Sequence, residues 1–334
     1  MTGTGAGAGS GTGDVSTSER AAGTGRERVP YLRRTVPVDG GELTVGEWGR
    51  GGDGPLLLAV HGITSSHLAW SVVGERVGDD HRLVAVDLRG RGGSRDLPGP
   101  YGMARHAADL VRVIEAYGGG PAVVLGHSMG GFVAVELARG HPELVRRLVL
   151  VDGGAPLPAP PGLDPTADEQ AVSAAISATV GPAFTRLSRT FPDPESYRQT
   201  WRTHPAFVDW TPAMVRYVDY DLVGTAPELR PSCKLEAAVR DARDQYAYPG
   251  VRPAALPVPA VFLRSPRGLL DEPDKPLYPA GYATAWLPGV VERTVSGVNH
   301  YTIALGESGA AAIEAAVREG GGTAGRDGAG AAER

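Results

Sequence analysis

The sequence predicts an α/β protein: a mostly parallel, twisted sheet with helices on both faces, interrupted by an inserted helical segment. Three observations carry this prediction. Short, continuous apolar runs recur between residues 55 and 151 and again from 258, as expected for strands buried on both faces. Helical patterns separate them, so strand and helix alternate. Between about 156 and 255 the alternation gives way to a proline-rich, aromatic stretch, and then it resumes.

Residues 1–26 are mostly Gly, Thr, Ser and Ala with almost nothing to bury, and read as an unstructured tail; residues 320–334 read the same way. The first part of the sheet domain covers 27–155. It opens with "YLRRTVPV" and "ELTVGEW" flanking Asp39-Gly40-Gly41, a hairpin signal. "PLLLAV" (55–60), "RLVAV" (82–86), "AVVLG" (122–126) and "RRLVLV" (146–151) follow as buried strands. Between the second and third of these, Met103, Ala107, Leu110, Val111 and Ile114 share one helical face. Between the third and fourth, Phe132 to Arg139 is helical, and His141-Pro142 stops it. The insertion, 156–255, reads as helical and irregular, with aromatics such as Phe184, Tyr197, Trp201 and Tyr217. The second part of the sheet domain, 256–319, holds "VPAVFLR" (258–264), a helix near 279–286, "VVERTVSG" (290–297) and a last helix near 306–318.

Composition narrows the function. At 334 residues, with 42% hydrophobic and 21% charged residues, the chain fits one large globular domain carrying an insertion. A net charge of -5 argues against nucleic acid or an anionic membrane as partner. Cys233 is the only cysteine, so neither an internal disulfide nor a thiolate metal cluster is available. The first twenty residues lack the apolar core of a signal peptide, and no apolar run approaches the ~20 residues of a membrane helix. The expected setting is the cytoplasm.

The stretch "VVLGHSMGG" (123–131) runs from a buried strand straight into a glycine-rich turn with Ser128 at its tip. Gly126-x-Ser128-x-Gly130 is a weak motif alone, but at a strand-to-helix junction it has the setting of a nucleophile elbow. A serine at such a tip adopts a strained backbone, and side chains at 126 and 130 would collide across the turn. The competing reading is an ordinary helix-capping serine. A serine hydroxyl needs a base. Of the histidines after Ser128, His141 lies in a helix-stop turn and His204 in the insertion. His300, in "SGVNHYT", follows the last strand, on the same carboxyl edge of the sheet as Ser128. It is the expected general base. Oxyanion donors are expected from the N–H of Met129 and of Ile63, with Gly62 leaving room for the latter to face the site.

These segments resemble a serine member of the α/β-hydrolase superfamily: "AVHGITSSHLAW" (59–70), "AVDLRGRGGS" (85–94), "LGHSMGGFVAVELA" (125–138), "RLVLVDGG" (147–154) and "VNHYTI" (298–303). The resemblance implies that the insertion is a mobile cap over the active site and that a carboxylate orients His300. The family's usual acid follows the strand before the last, yet "AVFLR" is followed by Ser265-Pro266-Arg267-Gly268, with no acid. Asp271 comes about three residues late; Asp152, after the earlier strand "RLVLV", is the alternative. Asp87 matches a structural position of the family, and Arg89 and Arg91 read as solvated or loop-fixing groups. "GRGGDG" (49–54) precedes a strand instead of opening a helix, so it is a turn rather than a phosphate loop.

The resulting expectation is hydrolysis of an ester, thioester or lactone in a small, partly apolar acyl substrate, through an acyl-enzyme and without cofactor or metal. A cofactor-free perhydrolase or C–C bond hydrolase would use the same residues, and a ligand receptor could keep the fold.

Overall fold

The computed structural model describes residues 29–49, 56–157, 174, 184–246 and 252–319. The segments read as unstructured tails lie outside the described residues.

The hairpin signal forms a hairpin. Strands β1 (Tyr31–Val38) and β2 (Gly41–Trp48) pair antiparallel, and Gly40 and Gly41 take φ of +90° and +145°, which a side chain would resist. The remaining sheet strands are β3 (Leu56–Val60), β4 (Arg82–Val86), β5 (Ala122–His127), β6 (Val145–Val151), β9 (Ala260–Arg264) and β10 (Val291–Thr294). A separate two-residue ladder joins β7 (Leu222–Val223) to β8 (Arg230–Pro231). The large sheet has eight strands in the order β1-β2-β4-β3-β5-β6-β9-β10, parallel throughout from β4 to β10.

Alternation within each strand explains why the runs are apolar at every position. Leu57, Ala59, Leu83 and Ala85 face one layer; Leu58, Val60, Val84 and Val86 face the other, and all eight are fully buried. The first layer is closed by α1 (Ser71–Val77) and α9 (Glu307–Arg318), the second by α2 (Met103–Ala116) and α3 (Met129–Gly140).

Between β6 and β9 the described residues include the helices α4 (Pro194–Arg202), α5 (Pro212–Tyr220) and α6 (Leu235–Arg243). The short α7 (Tyr282–Trp286) follows β9, and α8 (Thr302–Leu305) precedes α9. The last helix lies where the sequence placed it, and the short α8 is set off from it by the extended Gly306.

Buried charge ties the insertion to the sheet domain. Asp241 on α6 accepts from Gly102 N–H (2.6 Å) and His106 Nε2–H (2.9 Å) and pairs with Arg91 (2.6 Å). Tyr220 at the end of α5 donates to Asp87 (2.6 Å), which also accepts from the His67 and Gly93 amides. Burial alone would raise both carboxyls; Arg91 and His106 around Asp241, and His67, His61 and Tyr220 around Asp87, bring each down to about 2. Arg89 is not solvated: it is fully buried and forked onto Asp109 at 2.7 and 2.8 Å. Among the described residues no helix is long and apolar enough to cross a membrane.

Candidate active site

Ser128 stands at the junction of β5 and α3 with φ 53° and ψ -123°, a left-handed conformation that costs a non-glycine residue roughly 1–3 kcal/mol. The surrounding turn is too crowded for side chains. A Cβ on Gly126 would lie 2.4 Å from the Gly130 carbonyl oxygen, and one on Gly130 2.1 Å from that of Val60. One on Gly153 would lie 2.0 Å from the oxygen of Ser128 itself. The Ser128 amide donates to Val151 (3.0 Å), and its carbonyl accepts from Gly131 N–H (2.9 Å). The strained tip is thus held from both sides.

His300 lies in the turn between β10 and α8, and its Nε2 is 3.1 Å from Ser128 Oγ. Asn299 organises that turn: its Oδ1 accepts from the amides of Tyr301 (3.0 Å) and Thr302 (2.9 Å). Behind it, His127 Nε2–H donates to the His300 carbonyl at 2.8 Å. His300 Nδ1 is 2.8 Å from Asp152 Oδ2. A carboxylate at that distance fixes the ring hydrogen on Nδ1 and leaves Nε2 as the acceptor facing the serine. Asp152 is fully buried, and its other oxygen accepts from the Ser265 amide (3.0 Å).

The structure therefore brings together Ser128, His300 and Asp152, and leaves Asp271 out. Asp271 lies in a fork from Arg267 at 2.7 and 2.9 Å and accepts from Asn299 Nδ2 at 3.1 Å. Arg267, four residues ahead, holds the late carboxylate in its own loop. Ser265, directly after β9, supports Asp152 through its backbone N–H.

The loop after β3 packs over the serine. A Cβ on Gly62 would be 3.2 Å from Ser128 Cβ and 3.6 Å from Oγ. His61 sets its orientation. Leu88 N–H donates to His61 Nε2 (3.0 Å), so the ring hydrogen is on Nδ1 and donates to Gly62 O (2.7 Å). Since the peptide is planar and trans, the Ile63 N–H points away from that carbonyl. Arg91 Nε–H then holds the Ile63 carbonyl (2.9 Å), so Arg91 is loop-fixing and buried, not solvated. Met129 is the first residue of α3, so its N–H has no acceptor inside the helix. Sequence reasoning missed Ser265, the role of His127 and the hold of His61 on the Gly62 carbonyl. Among the described residues no three His, Cys, Asp or Glu side chains converge as metal ligands would.

Burial lowers His61 to about 4, and burial plus the neighbouring His300 lowers His127 to about 3. Both are neutral in the fold, so their contribution is complete above the ordinary histidine range and is lost as pH falls through about 4 and about 3. Chemical unfolding at a series of pH values should show stability declining below pH ~6.5, by up to ~1.4 kcal/mol per pH unit for each histidine. The depressed Asp87 and Asp241 add to this loss only below about pH 4. A flat profile from pH 6.5 to 4 would contradict the neutral, buried state of both rings.

An eight-stranded, mostly parallel sheet with a serine elbow between β5 and α3 is the α/β-hydrolase fold. A family model described as alpha/beta hydrolase fold matches residues 55–219. The chain is 36% identical over 122 residues to the 2-(acetamidomethylene)succinate hydrolase of Mesorhizobium japonicum, covering 36% of this chain and 43% of that protein. It is 43% identical over 104 residues to the N-formylmaleamate deformylase of Pseudomonas putida, covering 30% and 38%. The matches thus span less than half the length of either relative. The crystal structure of E-2-(acetamidomethylene)succinate hydrolase superposes with a TM-score of 0.66 at 24% identity, over 86% of this chain and 100% of that one. The chain has the α/β-hydrolase fold.

Proposed function

We propose that this protein is a serine hydrolase of acyl bonds. The observation that carries the reading is the continuous relay Ser128 Oγ–His300 Nε2 (3.1 Å) and His300 Nδ1–Asp152 (2.8 Å) on a strained elbow. Ser128 Oγ attacks the acyl carbon while His300 Nε2 takes its proton, and Asp152 stabilises the imidazolium. The charge developing on the acyl oxygen is met by the N–H groups of Met129 and Ile63. His300 then protonates the leaving group as the acyl bond breaks. Water, deprotonated by His300, cleaves the acyl-enzyme and restores Ser128. The insertion acts as a cap that shields this chemistry and shapes the acyl pocket, with Ile63 packed against the cluster that holds Phe184 and Cys233.

The two relatives carry names of acylated nitrogen compounds, so the range of scissile acyl bonds extends from esters, thioesters and lactones to amides. Both names, succinate and maleamate, are also those of acids. The test is a panel of small acyl esters, thioesters, lactones and N-acyl compounds under multiple-turnover conditions. Many cycles per molecule are expected on at least one class. Binding without turnover across the panel would point to a receptor and overturn the reading.

A further inference from the structure

Arg186 is a buried charge that the proposed chemistry leaves unused. It precedes α4, is 8% exposed, and its guanidinium carbon lies 4.7 Å over the Trp201 ring. Its Nη1 donates to Asp221 Oδ2 (2.8 Å) and to the Tyr197 hydroxyl, which itself donates to the same Asp221 oxygen. The other oxygen of Asp221 accepts from Ser232 Oγ–H (2.7 Å) and N–H (3.2 Å). Asp221 is therefore fully engaged. Arg186 Nη2 is buried and has no hydrogen-bond partner among the described residues. Native structures pair nearly all such donors, and an unpaired guanidinium N–H is among the costliest to leave bare.

The surroundings of Arg186 border the reacting groups. Trp201 meets Tyr217 and Tyr301 edge-on, with ring centroids 6.3 and 6.4 Å away. Tyr217 Oη is 3.0 Å from Ser65 Oγ, in the loop that carries Ile63. Tyr301 packs 5.6 Å from the His300 ring. The charge of Arg186 acts on Tyr217, Tyr301 and Cys233, and Cys233 Sγ is 3.7 Å from the Ile63 carbonyl. Arg186 is thus linked through Trp201 to Tyr217, which reaches the Ile63 loop, and to Tyr301, which packs on His300.

We infer that Arg186 anchors a carboxylate of the substrate, so that the preferred acyl substrates are acids whose carboxylate is separated from the scissile acyl carbon by a short spacer. This rests on Ser128 being the nucleophile. A carboxylate oxygen supplies the acceptor that Nη2 lacks, and a charge-assisted bond among aromatic walls is stronger than one in water. The two N–H groups of Nη2, on one nitrogen beside an Arg–Asp pair, suit the oxygens of a single carboxylate; a phosphate dianion would need donors from several groups.

The test compares 4-nitrophenyl monoesters of straight-chain dicarboxylic acids with length-matched 4-nitrophenyl esters of fatty acids. The protein should favour the acidic series in kcat/KM, with a sharp optimum of chain length and the preference expressed mainly in KM. In Arg186→Met the acid-to-neutral ratio should fall about 10- to 100-fold, the worth of one hydrogen bond to a charged group. Arg186→Met leaves Asp221 unpaired and can fail to fold; Arg186→Lys keeps a cation for Asp221 but lacks the second N–H, and its ratio should fall by at least about 10-fold. No acid preference in the unmodified protein, or an unchanged ratio in Arg186→Lys, overturns the anchor. Labelling by a fluorophosphonate needs no carboxylate: labelled Ser128 without acid preference overturns this inference alone, whereas no labelling overturns the hydrolase reading.

Discussion

Ser128→Ala is expected to lower kcat by about 10⁴- to 10⁶-fold while the protein stays folded. The size of the effect follows from the relay. In the proposed mechanism Ser128 Oγ, 3.1 Å from His300 Nε2, gives up its proton to that base, and removing it leaves the Met129 and Ile63 donors with no tetrahedral intermediate to stabilise. The fold should tolerate the change because the elbow is held by backbone contacts: the 128 amide on Val151 and the Gly131 amide on the 128 carbonyl. Alanine keeps both. A fluorophosphonate probe should label Ser128 alone in the unmodified protein, read by mass spectrometry of the labelled peptide. Labelling elsewhere, or turnover in the alanine variant within tenfold of wild type, would remove the serine from the mechanism.

What could be read in the sequence and what could not divides along physical lines. β4 is found at 82–86, where the apolar run placed it, because a strand buried on both faces is apolar from end to end. α1 escaped notice because seven residues, SVVGERV, are too few to display a helical period. Ser128 and His300 were legible because each sits in a short local motif at a predictable sheet edge. The acid was not. Its identity depends on how the loop after β9 folds, and that depends on a side-chain contest between Arg267 and the site for Asp271. Arg186 was harder still: its meaning comes from Asp221, Tyr197 and Trp201 converging on it, and nothing in the spacing of residues 184 to 221 announces that.

The acid decides the second large effect. Asp152→Asn is expected to reduce kcat by about 10³- to 10⁴-fold, because an amide in place of the carboxylate no longer holds the Nδ1 hydrogen or stabilises the imidazolium. Asp152 is well placed for both tasks. Its backbone is pinned by its own amide on Leu263 (2.8 Å), one oxygen is fixed by the Ser265 amide (3.0 Å), and the other meets His300 (2.8 Å). Asparagine could keep only part of this. If its side-chain oxygen accepts from Ser265, its NH₂ faces Nδ1 and forces the hydrogen onto Nε2, where it opposes proton abstraction from Ser128. Asp271→Asn should leave kcat within a few-fold. That change loosens a partly exposed fork with Arg267, an interaction typically worth about 0–1 kcal/mol, and still offers Asn299 an oxygen. Steady-state kinetics of the two variants on one substrate, with unfolding curves to check that both fold, decide the assignment. A larger loss in Asp271→Asn than in Asp152→Asn would mean that the loop after β9 delivers the acid during turnover. Equal, small losses would mean that the ring of His300 is oriented by its neighbours, His127 at 4.9 Å and Tyr301 at 5.6 Å, and not by a carboxylate.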